Sequence, residues 1–133
     1  MSLPVSIDTL RAELPRLDSL QPLVVYLFGS SARGTVHPAS DIDLAFLPPR
    51  PCDPVEVFET ANHLATAIGR HVDLVDLSRA STVMQKEVLR TGILLHETSP
   101  TARMEFEMLV FSNYARLNEE RQPVLHKLAS SAR

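Results

Sequence analysis

The sequence predicts an α/β domain with a sheet of about three or four strands and helices packed around it. Short apolar segments typical of strands alternate along the chain with longer segments whose apolar residues recur at helical spacing. A length of 133 residues suits one domain, and a composition of 44% hydrophobic and 22% charged residues is ordinary for a soluble globular protein. Strands that alternate with helices are typical of a layered α/β fold.

The first part of the chain predicts one helix and two strands. Apolar residues recur at helix-like spacing over residues 5–18. The run PLVVYLF over residues 22–28 is continuously apolar, as expected of a buried central strand. Residues 30–34 are then expected to begin a short helix, and residues 35–40 to form a loop. In DIDLAFL, over residues 41–47, aspartates alternate with isoleucine, leucine and phenylalanine, which predicts a second strand.

Five further elements complete the predicted domain. They are a helix over 55–69, a strand over 71–77, a helix over 82–91, a strand or extended segment over 93–97 and a long helix over about 102–121. Gly69 and Gly92 follow the first two of these helices, at the position where glycine commonly ends a helix. Pro123 is expected to end the long helix, because proline lacks a backbone N–H and is disfavoured in a helix interior.

Charge and composition exclude several classes of protein. A net charge of −3 argues against a protein that coats nucleic acid, since that binding needs a basic surface. Cys52 is the single cysteine, so no internal disulfide forms and a reducing compartment is expected. The first residues do not resemble a signal peptide, and no stretch approaches the ~18 apolar residues of a membrane span. We therefore expect a cytoplasmic protein with no stable nucleic-acid or membrane partner.

The segment GSSARG, which follows the first predicted strand, is suited to phosphate binding. Gly29 lets the backbone approach a phosphate closely, and a strand-to-helix junction presents free N–H groups. Ser30 adds a hydroxyl, and Arg33 adds a planar cation that matches phosphate oxygens. The Lys-Ser/Thr pair of a P-loop is missing, and a plain structural turn, with Arg33 as a helix-surface residue, is the alternative.

Asp41 and Asp43 lie two residues apart on the second predicted strand, so their side chains point to the same side and repel each other. On an exposed face such a pair would be unremarkable. The opposite face already supplies core residues, and no basic neighbour in the sequence neutralises the pair, whereas a divalent cation would. Mg²⁺ prefers a few carboxylates together with substrate phosphate oxygens. Two such ions ~3.5–4 Å apart could clamp the attacking and leaving oxygens of a phosphoryl centre.

A third carboxylate is expected from a neighbouring strand. The predicted strand HVDLVDL offers Asp73 and Asp76. These residues have opposite parity, so their side chains point to opposite faces of the strand. The pattern by itself does not choose between them.

Four segments resemble motifs of the minimal nucleotidyltransferase (MNT) family, within the polymerase-beta-like nucleotidyltransferase superfamily. They are Gly29-Ser30, Arg33-Gly34, Ser40-Asp41-Ile42-Asp43-Leu44 and Val72-Asp73-Leu74. Residues 22–97 follow the order and spacing of that family, whereas residues 1–20 and 101–133 are less distinctive. The resemblance implies a single minimal nucleotidyltransferase domain over residues 1–133 with a catalytic core at 22–97. It also implies a polymerase-beta-like fold, a small mixed sheet flanked by helices.

The resemblance implies a role for each matching residue. Asp41 and Asp43 would bind Mg²⁺, and Asp73 would be the third carboxylate, which activates the acceptor hydroxyl or binds a second metal ion. Gly29 and Ser30 would hold the β- and γ-phosphates of the nucleotide, and Ser40 would shape the turn or contact the phosphates. Arg33 is a further candidate contact to phosphate. The implied reaction is attack of a hydroxyl on the α-phosphorus of ATP, with pyrophosphate as the leaving group.

Many MNT proteins act as antitoxins beside a HEPN-type ribonuclease toxin. The resemblance implies that this chain transfers AMP from ATP to a tyrosine of such a toxin. Two alternatives remain open at this point. One is a nucleotidyltransferase for a small molecule, as in the aminoglycoside-modifying enzymes, and the other is an antitoxin that neutralises its partner by binding and occlusion only.

The long C-terminal helix carries two apolar stripes at helical spacing. One contains Met104, Met108, Phe111 and Ala115, and the other contains Phe106, Leu109, Val110, Tyr114 and Leu117. One stripe can pack on the sheet, so the other needs a second partner. Residues 1–20, a second copy of the chain or a partner protein would each cover it, and the adaptable methionines suit a partner protein.

Overall fold

A computed structural model of the chain describes residues 5–29 and 41–131, with side chains described as far as residue 120. The helices are α1 (Ile7–Glu13), α2 (Pro54–Ile68), α3 (Thr82–Thr91) and α4 (Pro100–Ser131), and a 3-10 helix (Leu14–Leu20) follows α1. The strands are β1 (Val24–Phe28), β2 (Ile42–Leu47), β3 (Val72–Asp76) and β4 (Ile93–Glu97). The predicted segments 30–34 and 35–40 lie outside the described residues.

The four strands form one mixed sheet in the order β3-β2-β1-β4. Strand β1 pairs antiparallel with β2 and with β4, whereas β2 and β3 are parallel. The predicted small mixed sheet flanked by helices is thereby confirmed. Parallel strands need a crossover connection, and helix α2 provides it between β2 and β3.

Side-chain alternation along the strands divides the core between the two faces of the sheet. Val25, Leu27, Ile42, Leu44 and Phe46 belong to the cluster covered by α1, the 3-10 helix and α2. The other cluster lies on the opposite face, where α3 and α4 cover it, and contains Val24, Tyr26, Phe28, Ala45, Leu77 and Val88. Both faces of the sheet are buried, so β1 is buried along its whole length, as its apolar run predicts.

The ends of α2 and α3 follow from local chemistry. The Asp53 carboxylate accepts a hydrogen bond from the Val55 N–H at 2.9 Å, and the Ser81 hydroxyl accepts one from the Met84 N–H at 3.1 Å. These contacts satisfy backbone donors of the first helical turn. Gly69 ends α2 in the left-handed conformation, with φ of 71°, as its position predicts.

Two helices differ from the prediction. The predicted helix over 5–18 is an α-helix and a 3-10 helix in succession, because Pro15 lacks the N–H that would continue the α-helical hydrogen bonds. The long helix begins at Pro100 and continues to Ser131, so the prediction that Pro123 ends it near residue 121 is wrong. A proline inside a helix removes one backbone hydrogen bond, a local penalty of about 3 kcal/mol, and does not prevent the following residues from remaining helical.

In one stripe of α4, Val110 is fully buried and Phe106 packs against the core cluster that α3 and α4 cover. Leu109, assigned to the same stripe by its spacing, is 58% exposed. The opposite stripe is uncovered in the described part of the chain, with Met108 71% exposed. Of the three coverings considered for this stripe, burial by residues 1–20 does not occur among the described residues. No helix among them is long and apolar enough to span a membrane.

Candidate active site

Three neighbouring strands bring the predicted site residues to one end of the sheet. Strand β1 ends at Phe28, directly before Gly29, and Phe28 pairs with Asp43 of the antiparallel β2. Because β2 and β3 are parallel, their first residues lie side by side, and Asp43 is aligned with Asp73. Gly29, Asp43 and Asp73 therefore lie next to one another across three strands, with Asp41 just before β2.

The pleat of the strands turns the two paired carboxylates to the same face of the sheet. On β2, Asp43 shares its face with Ala45, and on β3 the aligned Asp73 shares the same face with Val75. Ile42 and Leu44 point to the core cluster on the opposite face. This arrangement agrees with the predicted separation of the aspartates from the core side chains on β2. The site opens to solvent, because Asp41 and Asp73 are exposed and Asp43 is partly buried.

Asp76, the other candidate for the third carboxylate, lies at the far end of β3, where it is aligned with Phe46. Its side chain is only 8% exposed, and its Oδ1 accepts hydrogen bonds from the backbone N–H and the hydroxyl of Ser78 at 2.9 and 2.6 Å. Arg79 Nε lies 3.7 Å from its Oδ2. Asp76 therefore organises the turn after β3, and the structure brings Asp73, rather than Asp76, next to Asp43.

Burial and the neighbouring charges both act on the Asp43 carboxyl. Partial burial raises the pKa of this carboxyl above its usual value, and the negative charges of Asp73 and Asp41 raise it further. His71 acts in the opposite direction. In the described part of the chain, neither Asp43 nor Asp73 forms an ion pair with a lysine or arginine. A bound cation would relieve the repulsion between these carboxylates.

His71 is a site residue that the sequence analysis did not single out. Its Nδ1 lies 3.4 Å from Asp41 Oδ2, and both side chains are mostly exposed. The backbone carbonyl of His71 accepts a hydrogen bond from the Ile42 N–H at 2.9 Å, which joins the starts of β2 and β3. Its position two residues before Asp73 is the one signal in the sequence that would have drawn attention to it.

The carboxylates suit a magnesium ion that is completed by substrate. Among residues 5–29 and 41–120, no three His, Cys, Asp or Glu side chains are arranged as a complete metal-binding group. Mg²⁺ does not require one, because it usually takes one or two protein carboxylates, water and substrate phosphate oxygens. The donor set of Asp41, Asp43 and Asp73 is therefore chemically suited to Mg²⁺ held together with a nucleotide.

Of the four residues predicted to contact the nucleotide, Gly29 lies within the part of the chain that the structure describes. Its φ of 70° lies in the left-handed region that favours glycine. A Cβ at this position would overlap Asp43 Oδ2 and would lie 3.2 Å from Asp43 Cγ. The backbone at Gly29 thus lies directly against the carboxylate. The other predicted phosphate-binding residues lie outside the described residues: Ser30, Arg33 and Ser40.

Residues 16–101 match the family model described as polymerase beta, nucleotidyltransferase. The chain is 39% identical over 119 residues to the protein adenylyltransferase MntA of Shewanella oneidensis (strain MR-1). That alignment covers 90% of this chain and 81% of MntA.

Solved structures of toxin–antitoxin complexes contain chains with the same fold. A chain in a toxin–antitoxin complex with AMP-PNP is 34% identical with a TM-score of 0.78, and the match covers 90% of this chain and 98% of that one. A chain in a complex of a tri-AMPylated HEPN toxin and an MNT antitoxin from Shewanella oneidensis is 30% identical with a TM-score of 0.75. That match covers 93% of this chain and 99% of the other.

Proposed function

This chain belongs to the polymerase beta nucleotidyltransferase family, and from that premise we propose that it is a magnesium-dependent protein adenylyltransferase. In this proposal it is an antitoxin that transfers AMP from ATP to a tyrosine of a partner HEPN ribonuclease toxin. The observation that carries the proposal is the alignment of Asp43 with Asp73, beside Asp41 and Gly29, at one end of the sheet. Because ATP is the substrate, we place the reaction in the cytoplasm.

The names of the relatives support both proposed substrates, ATP and a HEPN toxin. The similar Shewanella oneidensis protein is named a protein adenylyltransferase, and the complex with AMP-PNP contains an ATP analogue. In another complex, the HEPN toxin bound to the MNT antitoxin is tri-AMPylated. These chains match nine-tenths or more of the present chain, which supports the proposed assignment of residues 1–133 to one minimal nucleotidyltransferase domain with a catalytic core at residues 22–97.

The three acidic residues divide two tasks between them in the proposed reaction. Asp41 and Asp43 would hold Mg²⁺, with two ions expected, and the metal would supply positive charge that offsets the charge developing on the attacking and leaving oxygens. Asp73 accepts the proton of the tyrosine hydroxyl. The hydroxyl oxygen forms a bond to the α-phosphorus of ATP while the bond from that phosphorus to the bridging oxygen breaks, and pyrophosphate leaves.

The phosphates of ATP lie on the Gly29 side of the site in this proposal. A glycine there leaves the backbone free to approach phosphate oxygens closely. Ser30 and Ser40 are proposed to contact the phosphates or to shape the turn beside them, and Arg33 is a further candidate contact. The protein therefore acts by positioning the two substrates and stabilising charge at the phosphorus.

The uncovered stripe of α4 is the proposed surface for binding the partner toxin. Met104, Met108 and Phe111 are 49%, 71% and 47% exposed. Together with Glu107, Ser112 and Ala115 they line a shallow groove of about 580 Å³. Exposed apolar surface of this kind marks interaction sites, and methionine side chains adapt easily to a partner. A homodimer formed through this stripe is the alternative, which the oligomeric state of the purified chain tests.

The proposed function is tested by incubating the protein with Mg-ATP and the product of the adjacent gene, and by measuring the intact mass of each chain. We expect the partner to gain AMP with the wild type and to remain unmodified with Asp41→Asn/Asp43→Asn. If that double variant still protects cells from the toxin, neutralisation occurs by occlusion instead. Pyrophosphate release that depends on an aminoglycoside, without any modified protein, would support the small-molecule alternative.

A further inference from the structure

The outer edge of β3 is open in the part of the chain that the structure describes. β3 is the first strand of the sheet and pairs only with β2 among these residues. The His71 carbonyl accepts from the Ile42 N–H, and the Leu77 N–H donates to the Phe46 carbonyl, each at 2.9 Å. Because backbone groups along a strand alternate in direction, the N–H and carbonyl of Leu74 point away from β2, towards the open edge. Such an edge can pair with another strand.

A groove runs along this edge between β3 and α2 and reaches the proposed catalytic residue Asp73. Its volume is about 230 Å³, below the roughly 300–1,000 Å³ of pockets that enclose a small-molecule ligand. Its lining consists of Pro54, Val57, Phe58, Ala61, Asn62, His71, Val72, Asp73 and Leu74. The lining contains no lysine or arginine, so the groove is suited to a peptide side chain rather than to a triphosphate.

Phe58 is an exposed large apolar side chain in the lining. It is 67% exposed, although it lies on α2 beside the edge of β3. The neighbouring Val55 is 60% exposed. Aromatic side chains are enriched among residues that dominate binding energy at protein interfaces.

The direction of the reaction places the acceptor on this side of the site. Gly29, Asp43 and Asp73 follow one another across β1, β2 and β3. In the proposed function, on which this inference rests, the pyrophosphate leaves on the Gly29 side. The attacking and leaving oxygens must lie roughly in line on opposite sides of the phosphorus. The acceptor hydroxyl therefore approaches from the Asp73 side, which is the open edge of β3.

We propose that an extended segment of the acceptor protein pairs with the outer edge of β3 as an added strand. Side chains of a strand alternate between its two faces. The acceptor tyrosine then lies on the face of Asp43 and Asp73, and the residue beside it in the sequence lies on the α2 face against Phe58. Peptide addition to a sheet edge combines backbone hydrogen bonds, which supply affinity, with side-chain contacts, which supply specificity.

The same geometry defines the chemistry of this segment. An apolar residue next to the tyrosine contacts Phe58 and Val57. Asp41, Asp43 and Asp73 make the catalytic end of the groove acidic, so neutral or basic residues, rather than acidic ones, flank the tyrosine. The occupant of the groove is thus a neutral or basic strand with an apolar residue beside its tyrosine.

The test compares Phe58→Ala and Phe58→Glu with the wild type in AMP transfer to the intact partner toxin. We expect the KM for the toxin to rise roughly tenfold or more in both variants. The affinity for AMP-PNP, measured separately, should remain unchanged. Val83→Ala is the matched control, because Val83 is an apolar residue 48% exposed on α3, away from the groove, and this variant should transfer AMP with the wild-type KM.

A photoreactive benzoyl-phenylalanine at position 58 supplies a second measurement that does not depend on kinetics. With AMP-PNP and the toxin present, it should crosslink within a few residues of the acceptor tyrosine. Wild-type KM values in both Phe58 variants, or a crosslink remote from that tyrosine, would overturn the inference while leaving the proposed function intact. If the wild type itself modifies no partner, the proposed function fails and the inference fails with it.

Discussion

Gly29 and Asp43 approach each other so closely that no side chain fits between them. A Cβ on Gly29 would overlap Asp43 Oδ2, and the φ of 70° at Gly29 is one that residues with a side chain rarely adopt. The antiparallel pairing of Phe28 with Asp43 produces this approach, because it sets the end of β1 beside the start of β2. The glycine after the first strand thus leaves room for the carboxylate in the proposed active site.

Gly29→Ala should both destabilise the protein and displace the Asp43 carboxylate. The strained backbone conformation is expected to cost about 1–3 kcal/mol in the free energy of unfolding. Displacement of a group that stabilises charge at the phosphorus should lower AMP transfer by roughly 100-fold or more. Urea unfolding and transfer rates measure the two effects separately.

Gly69→Ala is the matched control for this variant. Gly69 has nearly the same φ, 71°, but nothing lies within 4 Å of the position of its Cβ. The control should lose stability through backbone strain alone and should retain AMP transfer below its unfolding temperature. Equal transfer rates in the two variants would contradict the role assigned to the contact between Gly29 and Asp43.

Asp43→Asn should stabilise the metal-free protein while it abolishes transfer. Burial and the charges of Asp73 and Asp41 raise the pKa of Asp43 above 3.8 in the folded state. Ionisation therefore costs more in the folded than in the unfolded chain, and this cost is fully present at neutral pH. It decreases as the pH falls through the folded-state pKa and disappears below the unfolded-state pKa.

The measurement is the Tm of wild type and Asp43→Asn without Mg²⁺ between pH 4 and 8. The variant should have the higher Tm near pH 7, and the difference should shrink towards pH 4. Asp18→Asn, an exposed aspartate on the 3-10 helix, serves as the control and should show no such gain. A lower Tm for Asp43→Asn at pH 7 would contradict the repulsion inferred among the carboxylates.

The sequence predicted the part of the site that depends on local geometry. The two-residue period of a strand was sufficient to place Asp41 and Asp43 away from Ile42 and Leu44. The strand pattern left Asp73 and Asp76 open, and the resemblance to the MNT family selected Asp73. The parallel alignment of β2 with β3 brings Asp73 to Asp43 and Asp76 to Phe46. That alignment joins segments about 30 residues apart, and no local pattern encodes it.

Other features were missed for the same physical reason. The proximity of His71 to Asp41 arises across two strands, so the spacing of histidines in the sequence did not indicate it. On α4, spacing grouped Leu109 with Val110, but tertiary packing buries Val110 and leaves Leu109 exposed. The helical period predicts that an apolar stripe exists, whereas tertiary contact determines its edges.

Tyr26→Phe should change the response of the protein to alkaline pH. The Tyr26 hydroxyl donates a hydrogen bond to Glu107 Oε1 at 3.0 Å, which links β1 to α4. Burial, and then this hydrogen bond, raise the pKa of Tyr26 well above its usual value of 10.0. The folded state therefore keeps a proton that the unfolded chain releases, so this contribution to stability is complete below pH 10 and decreases as the pH rises above it.

We expect Tyr26→Phe to lose about 1 kcal/mol of stability at pH 8, because Glu107 loses a donor but retains Arg103 at 3.1 Å. Its stability should then fall less steeply than that of the wild type between pH 10 and 11.5. Chemical unfolding at several pH values measures both effects. A slope in Tyr26→Phe identical to that of the wild type would refute the assignment.

Met108→Lys should weaken binding of the partner toxin without affecting the chemistry of transfer. Met108 is 71% exposed at the centre of the apolar groove on α4, so its replacement should alter stability by less than about 0.5 kcal/mol. A lysine there would leave a charged group facing the apolar surface of a partner, and removal of a central interface residue commonly costs more than 1 kcal/mol of binding energy. We therefore expect the Kd for the toxin, measured by calorimetry, to rise at least roughly fivefold, while the affinity for AMP-PNP stays constant.

Asp41→Asn/Asp43→Asn should show the converse behaviour, with toxin binding retained and transfer lost, because its substitutions lie at the end of the sheet and not on α4. If Met108→Lys instead binds the toxin with wild-type affinity but converts a dimer of this chain into a monomer, the stripe is the contact between two copies, and the partner must bind elsewhere.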